Sequence, residues 1–205
     1  MIMKMSKLAL LAVCMAGTAV PAFGQALGFD GINFVKAVRE KDGDKALPLQ
    51  TSRPNVVNAR DTNGDTPLTI TIGRRDDTWT YWLLDKGANP DLPGRNGDTP
   101  LIIAARVGFI EAAEQLLARD AKIDAANGSG ETALIVAVQQ RQRDIAKLLL
   151  DNGADPDKHD HAAGYSAREY AKRDVRSRDI LALIEAAKKP AAPVKKVENA
   201  NDFKL

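Results

Sequence analysis

Cysteine and histidine are scarce in this 205-residue chain, which has one cysteine and two histidines. A single cysteine excludes an intrachain disulfide, and so few thiols and imidazoles offer little material for a metal centre or a thiol nucleophile. The chain also lacks an excess of one charge, because 29 lysines and arginines stand against 27 aspartates and glutamates. No overall positive field therefore exists to hold nucleic acid, and the 44% hydrophobic content predicts a soluble folded body.

The N-terminus has the pattern of a secretory signal. Lys4 and Lys7 precede an uncharged run, 8–20, which has 13 residues. This run is too short to cross a bilayer comfortably, because a spanning helix needs about 20 apolar residues. Ala22 and Gly24 then supply small residues three and one positions before a cleavage site. We therefore predict that residues 1–24 are a signal peptide, and that the mature protein is periplasmic or secreted in a bacterium, without a stable membrane span.

Two other readings of this segment are open. An uncleaved anchor is possible because residues 8–29 carry no charge, although Pro21 and Gly24 interrupt them. A lipoprotein anchored at Cys14 is disfavoured by Val13, since lipoproteins have a small residue there. Cleavage after Gly24 would remove the only cysteine and all four methionines, so the exported chain would have no disulfide and no oxidisable sulfur.

A repeat with a period of 33 residues is the strongest signal in the sequence. The run Asn-Gly-Asp-Thr-Pro-Leu at residues 63–68 returns at 96–101, and related runs follow near Gly130 and Gly164. A Leu-Leu pair recurs with the same step at 83–84, 116–117 and 149–150. A third landmark consists of Asn58, Asp91, Asp124 and Asp157. Three landmarks in one register indicate a repeat protein.

Each part of the repeat predicts a piece of local structure. Glycine allows a tight turn, threonine caps a helix, and proline suits the first helical position, so helices should begin at residues 66, 99 and 132. The Leu-Leu pair belongs to a second helix, which Gly87 or Gly153 ends in the left-handed conformation. The repeat unit is therefore a pair of helices joined by turns.

The pattern Gly-x-Thr-Pro-Leu, followed by Leu-Leu-x-x-Gly-Ala, resembles the ankyrin repeat over roughly residues 29–187. The resemblance implies an all-α solenoid of about five helix-turn-helix units with capping units at both ends. One departure concerns the histidine that the family usually has after the leucine, because Thr69, Ile102, Ile135 and Glu169 stand there. The histidine-mediated hydrogen bonds of that family are therefore not expected.

The N-terminal pattern, the repeats and the C-terminal composition divide the chain into three parts. These are a signal peptide, a repeat domain over 25–187 and a tail. The predicted units are approximately 28–60, 61–93, 94–126, 127–159 and 160–187. The first is degenerate, and its second helix should be poor because Pro48 interrupts it. In the last, Arg168 replaces a core leucine, which suits an outer face that meets water. Residues 188–205 contain lysine, proline and alanine without apolar periodicity, so we predict a disordered tail.

The chemistry-bearing residues do not form a recognisable active site. His159 and His161 flank Asp160 in one loop, where two imidazoles would make only a weak metal site. Ser166 is the expected cap of a helix, and no serine, histidine and carboxylate form a triad pattern. We therefore predict no enzyme, no cofactor and no metal, and we keep a metal-binding or enzymatic accessory protein that uses the two histidines as an alternative.

The resemblance implies that a partner protein binds the concave side, which is made by the turn tips and the ends of the first helices. Asp65, Asp98 and Glu131 should form an exposed acidic row there, about 10 Å from one to the next. The register of Trp79 predicts a core position, whereas Trp82 should be half exposed. The candidate partner-binding residues are Thr62, Asn63, Asp65, Arg74, Arg95, Asn96, Asp98, Arg106, Ser129, Glu131, Gln139, Gln140, Tyr165 and Arg173.

The predicted function is therefore a non-enzymatic, monomeric interaction module that binds another protein in the periplasm. A second alternative is a secreted ankyrin effector that acts inside another cell. Nucleic acid is not an expected partner because the charge is nearly balanced.

Overall fold

Helices form the fold. The computed structural model describes residues 22–187, and this part of the chain contains ten α-helices, two isolated β-bridges and no strand. Most of the predicted signal peptide and the whole predicted tail lie outside the described residues. The helices are α1 Ala22–Glu40, α2 Gly43–Ser52, α3 Pro67–Gly73, α4 Asp77–Asp85, α5 Pro100–Val107, α6 Ile110–Leu117, α7 Ala133–Gln139, α8 Arg143–Asp151, α9 Ala167–Arg173 and α10 Arg178–Ala186.

The first helix of each repeat begins where the turn residues predict. Thr66, Thr99 and Thr132 are the N-caps of α3, α5 and α7, and each side chain accepts a hydrogen bond from the backbone N–H three residues later. Thr69, at the position of the family's histidine, accepts the backbone N–H of Thr66 in return at 2.8 Å. Thr69, and Glu169 in the last unit, therefore close the helix start in place of the histidine, whereas Ile102 and Ile135 offer no side-chain acceptor.

The helices stack in two layers around a continuous apolar core. One layer contains α1, α3, α5, α7 and α9, and the other contains α4, α6, α8 and α10, each in contact with its neighbours in the layer. Leu68, Leu101 and Leu134 of the first helices are fully buried, as are Leu83 and the equivalent leucines of the second helices. Burying a leucine contributes about 1.5–3 kcal/mol, so this seam stabilises the stack. The predicted all-α solenoid is confirmed.

Hydrogen bonds from the third landmark join successive units. A side-chain oxygen of the landmark residue accepts the backbone N–H of a residue 31 positions later. The three bonds are Asn58 to Asn89 at 2.8 Å, Asp91 to Lys122 at 2.8 Å and Asp124 to Asp155 at 3.0 Å. These bonds explain why an Asx residue recurs there, because Asp and Asn offer the same acceptor oxygen.

The first unit departs from the prediction of a poor second helix. α2 continues through Pro48, so the expectation that this residue interrupts it is wrong. Asp42 caps the start of α2 by accepting the backbone N–H of Lys45, and Ala46 anchors the helix in the core. These contacts hold α2 in place although an internal proline removes one backbone donor.

The two tryptophans lie at the edge of the core. The indoles of Trp79 and Trp82 meet edge to face with ring centroids 5.3 Å apart, and Trp82 lies 6.3 Å from the ring of Phe34. Both are partly buried and pack against the core, so Trp79 reaches the predicted core position only in part, and the half exposure predicted for Trp82 is confirmed. The reason is a shallow apolar recess beside α2, which leaves one side of Trp79 open next to Ala46 and Leu47.

Candidate functional site

A broad groove runs between the turn tips and the ends of the first helices. Its volume is about 770 Å³, and its lining extends from the end of α1 to the turn before α7. Eight of the fourteen candidate residues line it, namely Asp65, Arg74, Arg95, Asn96, Asp98, Arg106, Ser129 and Glu131. The lining also includes six residues outside the candidate partner-binding set, namely Arg39, Thr69, Ile70, Gly73, Ile103 and Asn127.

The floor of the groove is apolar and is widened by a glycine. Ile70 and Ile103 occupy equivalent positions on α3 and α5 and are partly exposed in the groove. Gly73 ends α3 at the position where the next two units have Arg106 and Gln139. A Cβ atom at Gly73 would come within 3.9 Å of Ile103 Cγ2, which is ordinary contact, so the missing side chain leaves open space.

The acidic residues at the turn tips do not form the exposed row that we expected. Asp65 and Asp98 are buried. Asp65 accepts hydrogen bonds from the guanidinium and the backbone N–H of Arg95, with Nε 2.9 Å from Oδ2. Asp98 accepts from Arg106 Nη2 at 3.0 Å and from Asn127 Nδ2 at 2.8 Å. Because buried carboxylates need donors, each turns inward to neighbouring residues and away from solvent.

Burial and pairing act in opposite directions on Asp65. Desolvation would raise the pKa of this carboxyl, but the hydrogen bonds and positive charge of Arg95 outweigh it and hold the pKa of Asp65 below its usual value. The same pair raises the pKa of Arg95. Both groups are therefore charged at neutral pH, and the pair links the second and third units.

Arg74 belongs to the scaffold. Its Nη1 atom donates to the carbonyl oxygens of Val38 at 2.8 Å and Arg39 at 3.0 Å, and its Nη2 lies 3.3 Å from Asp76 Oδ2. These contacts hold the end of α1 against the end of α3. Arg74 also lines the groove, so its predicted role in partner binding stays a prediction beside this structural one.

In the turns that precede the first helices, the backbone is held by side chains that follow the 33-residue spacing. Asp61 and Asn127 each accept the backbone N–H groups two and four residues later, at 2.8–3.0 Å. Gly94 has no side chain, and its turn is instead held by Asp65 of the previous unit. The recurrence of Asp or Asn at these positions is a signal from which the groove residue Asn127 could have been found.

Asn96 and Ser129 are exposed at the mouth of the groove. Thr62 and Asn63 are equally exposed on the preceding turn but lie outside the groove lining. The turn tips therefore contribute unequally, and the groove begins beyond the first of them.

The remaining candidates lie towards the C-terminal end. The guanidinium of Arg173 lies over the ring of Tyr165 at 4.5 Å, and Tyr165 meets Tyr170 edge to face at 5.5 Å. Gln139 is half-buried and Gln140 is exposed at the end of α7. None of the four candidates in this region, Gln139, Gln140, Tyr165 and Arg173, lines the groove.

The two histidines contact different parts of the last units. His159 Nε2 lies 3.3 Å from Glu169 Oε2, whereas His161 packs against Gly130 and donates its backbone N–H to Ser129 at 2.8 Å. Within residues 22–187, no group of three or more His, Cys, Asp and Glu side chains is placed to hold a metal ion. In the same part of the chain, no helix combines the length and apolarity needed to cross a membrane.

Comparison with protein families identifies the repeats. The family model described as ankyrin repeats (3 copies) matches residues 34–127 and, overlapping them, residues 74–160. None of the curated proteins matches the chain. The two matched ranges cover more than half of the sequence and coincide with the stacked helix pairs that carry the groove. This chain therefore belongs to the ankyrin-repeat family.

Proposed function

We propose that this protein is a non-enzymatic interaction module that binds a partner protein in its concave groove, as a monomer in the bacterial periplasm. Ankyrin repeats generally mediate interactions between proteins. The observation that carries the proposal is the continuous groove, which combines an apolar floor at Ile70 and Ile103 with charged walls. Such a combination of an apolar centre and a polar rim is typical of protein interfaces.

The groove chemistry supports binding over catalysis. A general base needs a carboxylate or imidazole that is available to a substrate, but Asp65 and Asp98 are each occupied by an arginine. Ser129 is exposed in the groove without a histidine among the lining residues. The side chains therefore provide shape and charge, and they lack the arrangement of a nucleophile with its base.

The periplasmic location rests on the N-terminal pattern, in which Lys4 and Lys7 precede an uncharged run. Osmotic shock of the native cell should release a periplasmic protein. Recovery in the medium or inside a target cell would favour the secreted effector instead.

Photo-crosslinking tests the groove. A photoreactive amino acid replaces Ser129, which is exposed in the groove, or Glu114, which is exposed on α6 in the layer of second helices. We expect adducts with a partner protein in the native periplasm from position 129 only. Adducts from position 114 alone would move the interface to the convex side. The ion-pair residues are unsuitable as crosslinking positions, since Asp65, Arg95 and Asp98 also join the units.

A matched pair of substitutions at Gly73 supplies the control. Gly73→Ala adds only a Cβ, for which there is space, whereas Gly73→Gln extends a side chain into the groove, as the equivalent Gln139 shows the position to tolerate. Both should keep or slightly raise stability, because glycine in a helix costs about 0.5–1 kcal/mol relative to alanine. Only the Gln variant should lose the adduct at position 129.

A further inference from the structure

We propose that the groove selects an acidic, extended segment of its partner protein. This inference rests on the binding function proposed above and adds the chemistry of the ligand. It rests on three ion pairs, in each of which the arginine is more exposed to solvent than the aspartate. The pairs are Arg39 with Asp61, Arg95 with Asp65 and Arg106 with Asp98.

In each pair the carboxylate is much less exposed than the guanidinium. The side chains of Asp61, Asp65 and Asp98 are 13%, 9% and 12% exposed. Those of Arg39, Arg95 and Arg106 are 48%, 58% and 39% exposed. A ligand therefore meets the cationic member of every pair, although the lining contains both signs of charge. The complementary ligand is therefore negatively charged.

The pairs leave donors for a ligand. A guanidinium has five N–H donors in a planar fork. The carboxylate of Asp65 occupies Nε and Nη2 of Arg95, and Asp98 occupies Nη2 of Arg106. The other guanidinium nitrogens of these two residues have no hydrogen bond among the described residues. A carboxylate from a partner can therefore be added to a guanidinium that already holds one.

The buried carboxylates also order the arginines before binding. A free arginine side chain has about 2 kcal/mol of rotamer entropy, and part of this is already lost when Asp65 or Asp98 holds the guanidinium. The cost of fixing Arg95 and Arg106 on a ligand is correspondingly lower. Asp65 and Asp98 thus act as positioning residues for the arginines that would contact the partner.

The shape of the groove suits an extended segment with apolar side chains between acidic ones. Ile70 and Ile103 form an apolar floor, and Gly73 leaves open space beside Ile103. Three neighbouring units at about 10 Å each span about 30 Å. An extended chain rises about 3.3 Å per residue, so about nine residues would fill this length. Glu131 adds a negative charge to the lining just before α7, so the cationic region ends there.

The sign of the charge argues against the chain's own tail as the occupant. Residues 188–205 contain five lysines against Glu198 and Asp202, which gives a net charge of +3. The same three arginines would repel this segment. We therefore assign the acidic segment to another protein, to whose long-range attraction the lysines would add.

Peptide binding to the full mature chain tests the inference. The probe is a fluorescein-labelled peptide of about twelve residues, long enough to exceed the groove, in which Glu alternates with Leu or Val. Two matched peptides carry Gln or Lys in place of every Glu. We expect the Glu peptide to bind about tenfold more tightly than the Gln peptide, a difference of about 1.4 kcal/mol. The difference in affinity between the Glu and Gln peptides should shrink as NaCl rises from about 50 to about 300 mM, because salt screens exposed charges.

Two variants show where the peptide binds. Gly73→Gln should abolish binding of the Glu peptide, whereas Gly73→Ala should retain it. The double variant Arg95→Gln with Asp65→Asn removes one ion pair but leaves groups that can hydrogen-bond to each other. We expect it to lose most of the preference for Glu over Gln while it unfolds at a temperature close to that of the parent.

Several results would overturn the inference. These are equal binding of the Glu and Gln peptides, preference for the Lys peptide, no binding by any peptide, or equally tight binding of a labelled single-stranded oligonucleotide. If crosslinking at position 129 still captured a partner, the proposed interaction function would stand and only the acidic specificity would fail. If neither the Glu peptide bound nor crosslinking at position 129 captured a partner, the groove would not be the interface.

Discussion

Asp160 holds the last turn of the solenoid with a single carboxylate. Its Oδ1 atom accepts the backbone N–H groups of Ala163 and Gly164 at 2.8 Å, and its Oδ2 accepts the hydroxyl of Tyr170 at 2.6 Å. Burial would raise the pKa of Asp160, but these hydrogen bonds outweigh it and lower the pKa. Burial and the adjacent carboxylate raise the pKa of Tyr170 to about 12. The folded state thus favours a charged Asp160 and a neutral Tyr170.

This pair makes stability depend on pH at both extremes. The pKa of Tyr170 is higher in the folded chain than its ordinary 10.0, so its contribution is complete below pH 10.0 and is lost as pH rises towards about 12. The pKa of Asp160 is lower than its ordinary 3.8, so its contribution is present above that pH and is lost as pH falls below it.

Tyr170→Phe should therefore cost about 1.5–3 kcal/mol of unfolding free energy at neutral pH, since a hydrogen bond to a charged group is lost. The alkaline loss of stability attributable to this tyrosine should also disappear. Urea unfolding followed by the fluorescence of the two tryptophans, at pH values from acid to alkaline, measures both effects. Parallel pH profiles for parent and variant would contradict this account of the pair.

The sequence predicted residues whose partners are close along the chain and missed those whose partners lie in another unit. Thr66 and Thr132 were identified as caps because the atoms they bind are three residues away. Asp65 was placed on the surface, since its partner Arg95 is 30 positions later and only stacking brings them together. Gly73 lies at the end of a first helix, where the concave side was expected, but without a side chain it was not chosen as a contact residue.

At the scale of the helices, the joints between units consist of apolar packing and a few side-chain to backbone bonds. Asp124 illustrates one joint, since its Oδ1 accepts the backbone N–H of Asp155 at 3.0 Å. Its backbone oxygen also accepts Lys158 Nζ at 2.7 Å. In a linear stack each joint adds its own term to stability, because a unit contacts only its neighbours.

Asp124→Ala should reduce the unfolding free energy by about 1–2 kcal/mol, because the N–H of Asp155 loses its acceptor. Asp124→Asn is the matched control, as it keeps an acceptor oxygen and Asn58 fills the equivalent role in the first unit. It should stay within about 0.5 kcal/mol of the parent. Chemical denaturation measures both, and equal losses in the two variants would show that charge matters at this joint more than the acceptor.

The helices were predictable where the repeat is regular and less so at the ends. The 33-residue period places α3, α5 and α7 correctly because their starts depend on local turn and cap residues. α1 lacks a Thr-Pro start and runs unbroken from Ala22 to Glu40. α2 was expected to fail at Pro48, but a cap and a buried alanine at Ala46 compensate, and such tertiary support cannot be read from propensity.

At the scale of the whole molecule, the last unit covers the apolar face of the unit before it. α9 packs on α7 and α10 packs on α8. Arg168, in the position of a core leucine, instead pairs with Asp157 at 2.7 Å. The polar side of this unit can therefore face water while its other side protects the core.

Deletion of residues 160–205 should expose the apolar faces of α7 and α8, including Val138 and Ile145, which are buried in the whole chain. We expect a lower melting temperature and concentration-dependent association, as seen by circular dichroism and size-exclusion chromatography. Deletion of residues 188–205 alone is the control and should leave both unchanged. A soluble, equally stable protein after the larger deletion would show that the last unit is not a cap.

The pairs that line the groove also hold the stack together, and this has a consequence for anyone who redesigns the surface. Asp65 and Arg95 are in different units, and Asp98 reaches Asn127 in the next one. Randomising these four positions in a binder library would discard many clones through misfolding. A library confined to Gly73 and Ser129 would vary what a new target touches while the framework between the units remains intact, whereas Asn96 has a left-handed φ of 61° that few side chains tolerate.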